Sequence, residues 1–434
     1  MRLMMHPRNI YDHILPDFKE LALTYPKLAD CIQADGSIDL KDPHAVCALT
    51  EALLKQDFQL DVELPSDRLC PRVSNRLNYI LWIQDLLDSD NFDIDGGVNT
   101  HVVTGLDVGT GVSCIYPLLG CRLRSNWNFI GTDIDERAVT LAKEQITRND
   151  LSGRIQIMKS APGGPLFDVG HKLDFTMCNP PFYSSMEDIE FSQELKVTES
   201  HSFTNIEPNE MITFGGEVAF VKRMISESVA MSSNTTKTWF TSMLGKLSSL
   251  KAIVEELVRC EISNYVVTEF LQGQHTRRWA VAWRFDFCRA VPELARPISP
   301  APSVAVRALW PAATCATIPF VIDYVNETTL RVICDKLNDE FGELIDVSLR
   351  SHDGSQYILG FSKLGNIWSR AFRRQKRRKL ESDNAGQLDS GFGFRIFLND
   401  AQHNVTVHWS YGLDSKVFQS FCGMLKTKLS NLDL

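Results

Sequence analysis

Two apolar runs, each ending in a signal that bends the backbone, constrain this chain more than any other feature. The first, His101-Val102-Val103-Thr104-Gly105-Leu106-Asp107-Val108, passes into Gly109-Thr110-Gly111; the second, Leu173-Asp174-Phe175-Thr176-Met177-Cys178, passes into Asn179-Pro180-Pro181-Phe182. A strand feeding a glycine turn, with a helix able to start at Ser113, opens a doubly wound α/β domain. Between the two runs, Trp127 to Thr132 and Ile155 to Lys159 read as strands and Glu136 to Asn149 as a helix. In such a domain the first glycine turn holds a nucleotide-like cofactor, and the carboxyl end of a later central strand brings the reacting group beside it.

The tetrapeptide at 179–182 implies a chemistry. The Asn179 side-chain carbonyl and the Pro180 backbone carbonyl can both accept from an exocyclic NH2, drawing its lone pair out of conjugation and aiming it at an electrophilic methyl. Pro180 and Pro181 fix the backbone and remove N–H donors that would compete for those carbonyls. Phe182 can stack on the base, which is worth roughly 1–3 kcal/mol. No strong general base is needed, because positioning is the catalyst. The bland reading is a Pro-Pro turn that merely ends a strand; strand, turn and upstream glycines together favour function.

The turn Gly109-Thr110-Gly111-Val112-Ser113-Cys114 lacks the third glycine of a dinucleotide fingerprint. A cofactor without phosphate, S-adenosylmethionine, suits it better. Asp107 can accept from the cofactor's ammonium, and Gly109 lets the backbone approach. Asp133, at the end of the second strand, is the expected partner for ribose hydroxyls; the alternative is a helix N-cap, a role Asp135 fills better. The exit of the third strand, Ser160 to Pro165, lies where the adenine edge should meet backbone amides.

A chain of 434 residues with net charge −9 can build two or three domains, and any nucleic-acid contact must be a local basic patch. Eleven cysteines without paired spacings read as reduced core residues, and nothing suggests a metal site. No segment reads as a leader or a membrane span, so a soluble intracellular protein is expected. Residues 1–95 read as a helical extension, with amphipathic spacing over Pro43 to Leu54 and Asn75 to Leu87. Residues 96–288 form the Rossmann-like core. In it, the polar stretch from Tyr183 to Thr213 reads as a mobile loop over the site, and Tyr265 to Gln272 with Trp279 to Phe287 as a closing hairpin. Together these make the α/β fold of a class I, seven-strand methyltransferase. Residues 289–312 read as a Pro/Ala-rich linker, and 313–434 as a smaller α+β domain of β-α-β-β…β-β-α order with a basic insertion at 370–380.

Several strings carry a specific resemblance: His6-Pro7-Arg8-Asn9, LKDPHAVCALTEALLKQDF, RLNYILWIQDLL, LDVGTGVSCIYPLLG, CNPPF, GGEVAFVKR, SMLGK and TEFLQGQHTRRWAVAW. Over residues 5 to about 287 the chain resembles the U6 small nuclear RNA adenosine-N6 methyltransferases, the methyltransferase-like-sixteen group related to bacterial large-subunit ribosomal RNA enzymes; a fungal-type member is expected. The resemblance implies cofactor contacts from Arg76, Gly109, Ser113, Asp133 and Asn179 and from the backbone near Gly164, and Gly111 of the glycine turn is a further candidate. For Arg76 the alternative is a surface ion pair. It further implies that Lys41 lies at the mouth of the site and that Arg277 and Arg278 touch RNA, although adjacent residues at a strand start face opposite ways.

The resemblance further implies that the C-terminal domain is an RNA-binding fold like the kinase-associated-one domain, with which the β/α order is compatible, and Arg373, Arg374, Lys376, Arg377, Arg378 and Lys379 would then meet phosphates. Nuclear import and a solvated loop are the rival readings of that run, and a nuclear, monomeric protein engaged in splicing is expected. Two departures stand out. Relatives commonly carry glutamate where Asp133 stands, and the loop from Tyr183 to Thr213 holds no arginine but several acids, including Glu187, Asp188, Glu190 and Glu194. Autoinhibition through loop arginines, as in animal relatives, is therefore not expected. The leading expectation is N6-adenosine methylation of a structured RNA, U6 small nuclear RNA first. Ribosomal RNA, DNA or a glutamine amide could be the acceptor instead, and a non-catalytic RNA-binding factor is the reading from another class.

Overall fold

The structure, a computed structural model, describes residues 5–12, 16–89, 101–182, 213–232, 237–272, 276–291, 294, 304–319, 327–352, 355–369, 372, 391–399 and 404–430. Its backbone separates into two units. One comprises Met1–Asp88, Gly96–Phe285 and Ser299–Leu309; the other comprises Ser89–Asp95, Asp286–Ile298 and Trp310–Leu434. The N-terminal helices thus share a unit with the sheet.

Those helices are α1 (Phe18–Thr24), α2 (Pro26–Ala29), α3 (Pro43–Phe58) and α4 (Val73–Asp88). Asp42 accepts from the His44 amide and Pro43 follows it, a start signal that needs no tertiary help; α3 ends where Gln59 turns left-handed. Helix α4 is buried almost all round, with Leu77, Tyr79, Ile80, Trp82 and Ile83 in the core. A helix apolar on every side must be covered on every side. One cover is the His6-Pro7-Arg8-Asn9 string: the His6 ring and the Arg8 guanidinium both meet Asp85, Arg8 donates to the Leu81 carbonyl at 3.2 Å, and Asn9 Nδ2 donates to Asn78 Oδ1 at 2.7 Å.

The sheet contains β1 (Val103–Val108), β2 (Trp127–Asp133), β3 (Ile155–Lys159), β4 (Phe175–Cys178), β5 (Trp239–Leu244), β6 (Tyr265–Gln272) and β7 (Thr276–Trp283), in the order β3-β2-β1-β4-β5-β7-β6. The helices α5 (Ile115–Leu123), α6 (Glu136–Arg148), α7 (Gly216–Met231) and α8 (Leu247–Arg259) connect them, and a short α9 spans Val304–Arg307. The first five strands run parallel and β7 is antiparallel to both its neighbours. This is the class I methyltransferase topology, with strand order reversing between β1 and β4, where a cofactor crevice belongs. Gly105 sits in mid-strand because the Phe175 ring of β4 lies where its side chain would be, 2.2 Å from an added Cβ. The hairpin strand expected over Trp279 to Phe287 instead begins at Thr276, so Arg277 and Arg278 lie inside the strand.

The second unit is a five-stranded antiparallel sheet in the order β8-β12-β11-β10-β9, built from β8 (Cys315–Pro319), β9 (Asp346–His352), β10 (Ser355–Ser362), β11 (Phe392–Asn399) and β12 (Asn404–Tyr411). Helices α10 (Glu327–Phe341) and α11 (Ser415–Leu429) complete it, around a core centred on Trp368, Phe392, Phe394 and Phe421. Arg289 belongs to it as well: its guanidinium lies 4.0 Å from the Trp409 ring centroid and donates to the Gly412 carbonyl at 2.8 Å. The first residue of the expected linker is therefore an anchor within this unit. The loop from Tyr183 to Ile212 and the basic residues Arg373 to Lys379 lie outside the described residues.

Candidate active site

Strands β1 and β4 pair in register, Val108 opposite Cys178, so the chain leaves the sheet at neighbouring points as Gly109 and as Asn179. The glycine turn and the Asn-Pro-Pro-Phe turn therefore share one end of the sheet. Gly109 and Gly111 take positive φ, +74° and +65°, which the turn requires and other residues resist. The Gly109 and Thr110 amides donate to the Thr132 carbonyl of β2, and the Gly111 amide to Asp133 Oδ2 at 2.9 Å. The other Asp133 oxygen accepts from the Asp135 amide, leaving the carboxylate beside the turn at the strand end, while Asp135 itself caps α6. Burial raises the Asp133 pKa.

Asp107 lies one residue inside β1 and is 1% exposed. Among the described residues neither of its carboxylate oxygens has a hydrogen-bond partner. Burial pushes its pKa up to about 7, with the neighbouring Thr110 hydroxyl and then the Arg76 guanidinium pulling the other way. A buried carboxylate with two unused acceptors is costly to the fold alone and suits a cationic ligand group. Arg76 comes from α4: its Nη1 donates to the Tyr116 hydroxyl at 2.6 Å, and its guanidinium stands 5.3 Å from that ring's centroid. Rather than an exposed ion pair, Arg76 makes an inward contact. Three residues on, the Tyr79 hydroxyl, paired with Thr241 at 2.7 Å, lies 3.4 Å from the Cys178 carbonyl, so one helix reaches both α5, which follows the glycine turn, and the β4 exit.

Asn179 is half-buried, and its side-chain oxygen is enclosed without a hydrogen-bond partner among the described residues. Phe182 lies beside Gly245 at the end of β5, and the Arg278 guanidinium stands 5.3 Å from its ring centroid. Arg277 leans away to Glu269 Oε1 at 2.8 Å, so the two arginines part as their alternation in the strand requires. Ser113 is buried on the turn. Gly164 sits in the loop after β3, where the Gly163 and Gly164 carbonyls accept from Arg223, itself held by Glu227 at 2.8 Å. Lys41 is exposed on the loop before α3, its amide donating to Asp39.

Sequence reasoning passed over Tyr79, Tyr116, Arg223, Glu217 and Gly245. Each acts across the sheet or between helices. Their signal was their place inside the quoted strings rather than any motif of their own. Among the described residues no group of His, Cys, Asp and Glu could hold a metal ion, and no helix is long and apolar enough to cross a membrane.

Strand order, a glycine turn on β1 and an Asn-Pro-Pro-Phe turn on β4 define a class I methyltransferase. The chain belongs to the RNA methyltransferase family, whose model matches residues 1–286. It is similar to the U6 small nuclear RNA (adenine-(43)-N(6))-methyltransferase of Schizosaccharomyces pombe, 35% identical over 401 residues that cover 91% of this chain and 96% of that protein. That similarity reaches beyond the catalytic unit, further than the strings alone implied. Among solved structures, the hMettl16 catalytic domain in complex with MAT2A 3'UTR hairpin 1 aligns with a TM-score of 0.58 and 37% identity, covering 65% of this chain and 96% of that one. The N-terminal domain of human METTL16 in complex with SAH aligns with a TM-score of 0.53 and 36% identity, covering 65% of this chain and 99% of that one. This chain spans about half the length of the vertebrate relatives it matches.

Proposed function

We propose that this protein transfers a methyl group from S-adenosylmethionine to N6 of an adenosine in a structured RNA, with U6 small nuclear RNA as the substrate. The observation that carries the reading is the unpartnered Asn179 oxygen at the β4 exit, one strand from the glycine turn of β1. The relatives' names supply the acceptor: the S. pombe protein acts on adenine of U6 small nuclear RNA, and the hMettl16 domain is solved with an RNA hairpin.

On this reading S-adenosylmethionine, when bound, supplies an electrophilic methyl on a sulfonium. Asp107 accepts from its ammonium, Arg76 pairs with its carboxylate, Asp133 takes the ribose hydroxyls, and Gly109, Gly111, Ser113 and the backbone at Gly164 line its length. The target adenine leaves its stack to reach the pocket, at a cost of roughly a few kcal/mol. The Asn179 side-chain oxygen and the Pro180 carbonyl accept from N6, so that its lone pair points at the methyl. Pro180 and Pro181 contribute no competing N–H, and Phe182 stacks on the purine. The N6 proton leaves after the nitrogen has become cationic, so none of these residues has to act as a strong base.

Lys41, Arg277 and Arg278 contact the RNA near the site. The run Arg373, Arg374, Lys376, Arg377, Arg378 and Lys379 adds phosphate contacts from the second unit and can also direct nuclear import. Labelled cofactor incubated with a panel of RNA hairpins tests the whole reading. Label on RNA that disappears with Asn179→Ala supports catalysis, and RNA binding without label in the wild type refutes it. Neutralising the basic run is expected to flatten the salt dependence of RNA affinity by about 0.7–0.9 for each phosphate it no longer neutralises, with little change in turnover at saturating RNA.

A further inference from the structure

We infer that Glu217 is a positioning residue for the acceptor side of the site: it fixes the Gly245–Lys246 turn so that Gly245 seats the Phe182 ring beneath Arg278. The inference deepens the methyl-transfer reading and rests on it for its consequence, though not for its geometry.

Glu217 opens α7 and is 2% exposed. Its Oε2 accepts from the Gly245 amide at 2.6 Å and its Oε1 from the Lys246 amide at 3.2 Å, with the Ser249 hydroxyl as a further partner. These donors belong to the turn between β5 and α8, a helix whose N-cap, Lys246, makes no side-chain capping bond of its own. A carboxylate from α7 therefore does the capping at a distance. Burying that charge is expensive unless donors and a cation surround it, and here the amides, the hydroxyl and the Arg278 charge do so. An exposed aspartate within the turn could have capped α8 at lower cost. What the buried carboxylate adds is a fixed position for Gly245.

Gly245 explains why that matters. Its φ lies outside the left-handed region, so backbone conformation does not require glycine there. Space does: a Cβ would stand 3.0 Å from Phe182 Cδ1, 3.4 Å from Phe182 Cγ and 3.3 Å from Glu217 Oε2. All three nearest atoms belong to the ring and its clamp. The Arg278 guanidinium covers one face of the same ring at 5.3 Å from the centroid, so a purine stacks on the other. Glu217, Gly245 and Arg278 thus set the plane of the ring on which the purine stacks. A small tilt there displaces N6 from its line of approach, and misplacement by about 1 Å can cost on the order of 100-fold in rate.

The test uses full-length protein carrying 4-fluorophenylalanine at position 182, read by fluorine NMR, alongside methyl-transfer kinetics. Gly245→Ala and Glu217→Gln are both expected to move the fluorine resonance. Both should also lower kcat roughly 10- to 100-fold, with SAH affinity within about twofold of wild type. A Glu217 variant that fails to fold leaves Gly245→Ala to decide, because the three atoms nearest an added methyl belong to the ring and the carboxylate. An unchanged resonance in Gly245→Ala, or an unchanged kcat with a lowered melting temperature, overturns the inference in favour of a purely structural cap. Should the wild type itself transfer no methyl to RNA, a moved resonance still upholds the clamp while the proposed function falls.

Discussion

The proposed cofactor side of the site draws Asp107, Gly109, Gly111 and Asp133 from two adjacent strands and the turn after the first, held largely by main-chain donors, with Arg76 added from α4. The acceptor side draws Phe182, Glu217, Gly245 and Arg278 from four separate segments, and side chains hold it. The first is rigid largely by local construction and keeps a buried carboxyl group, Asp107, without a hydrogen-bond partner among the described residues. The second is rigid only if distant elements pack correctly, which makes it the half where a substitution far from the reacting atoms can cost rate.

The sharpest way to separate the halves is Asn179→Ala. Removing an oxygen aimed at the acceptor nitrogen is expected to lower kcat about 10²–10³-fold in single-turnover assays. A loss under tenfold would break the acceptor half as described.

Asp107→Asn probes the other half. Its carboxyl is raised from 3.8 to about 7 by burial, so in the ligand-free protein the folded state keeps a proton that the unfolded chain has released. This group's contribution to stability is therefore full below 3.8 and is lost as pH climbs through about 7. Asp107→Asn should remove that pH dependence and melt above wild type at pH ~8, while SAH affinity falls roughly 10- to 100-fold with the lost charged hydrogen bond. Calorimetry at two pH values checks both, and an unchanged SAH affinity would strike Asp107 from the cofactor side.

Phe182→Ala should cost roughly 1–3 kcal/mol of purine stacking, seen as weaker quenching of a 2-aminopurine placed at the target position. SAH affinity should hold steady, and a parallel loss would show that the halves are coupled. The smallest effect is expected at the N-terminal clasp. Arg8→Ala removes a partly exposed pair with Asp85, worth about 1 kcal/mol or less, and should lower the melting temperature by a few degrees with kcat intact. A large loss of SAH affinity there would mean that α4 transmits strain directly to Arg76.

Much of this was legible in residues alone. Strands β3 and β6 start and stop where periodicity places them, because short apolar runs bounded by turn residues leave little choice. Asp135 as the α6 cap followed from the same local chemistry. The start of β7 did not: Thr276, Arg277 and Arg278 are polar, and only pairing with β6 draws them into a strand. Arg289 was equally hidden, since a lone arginine beside a Pro/Ala-rich stretch gives no sign of a tryptophan and carbonyls contributed by residues 409–413.

By itself the sequence determined the individual strands, the glycine turn and the tetrapeptide at 179–182, because each depends on interactions within a few residues of chain. Only the tertiary structure decided that Val108 and Cys178 lie side by side, that Arg76 turns inward to Tyr116, and that Glu217 reaches Gly245 behind Phe182. Those are choices of register and packing between segments far apart in sequence. Their energies come from burial and from donors and acceptors that find each other only once the chain has closed around them.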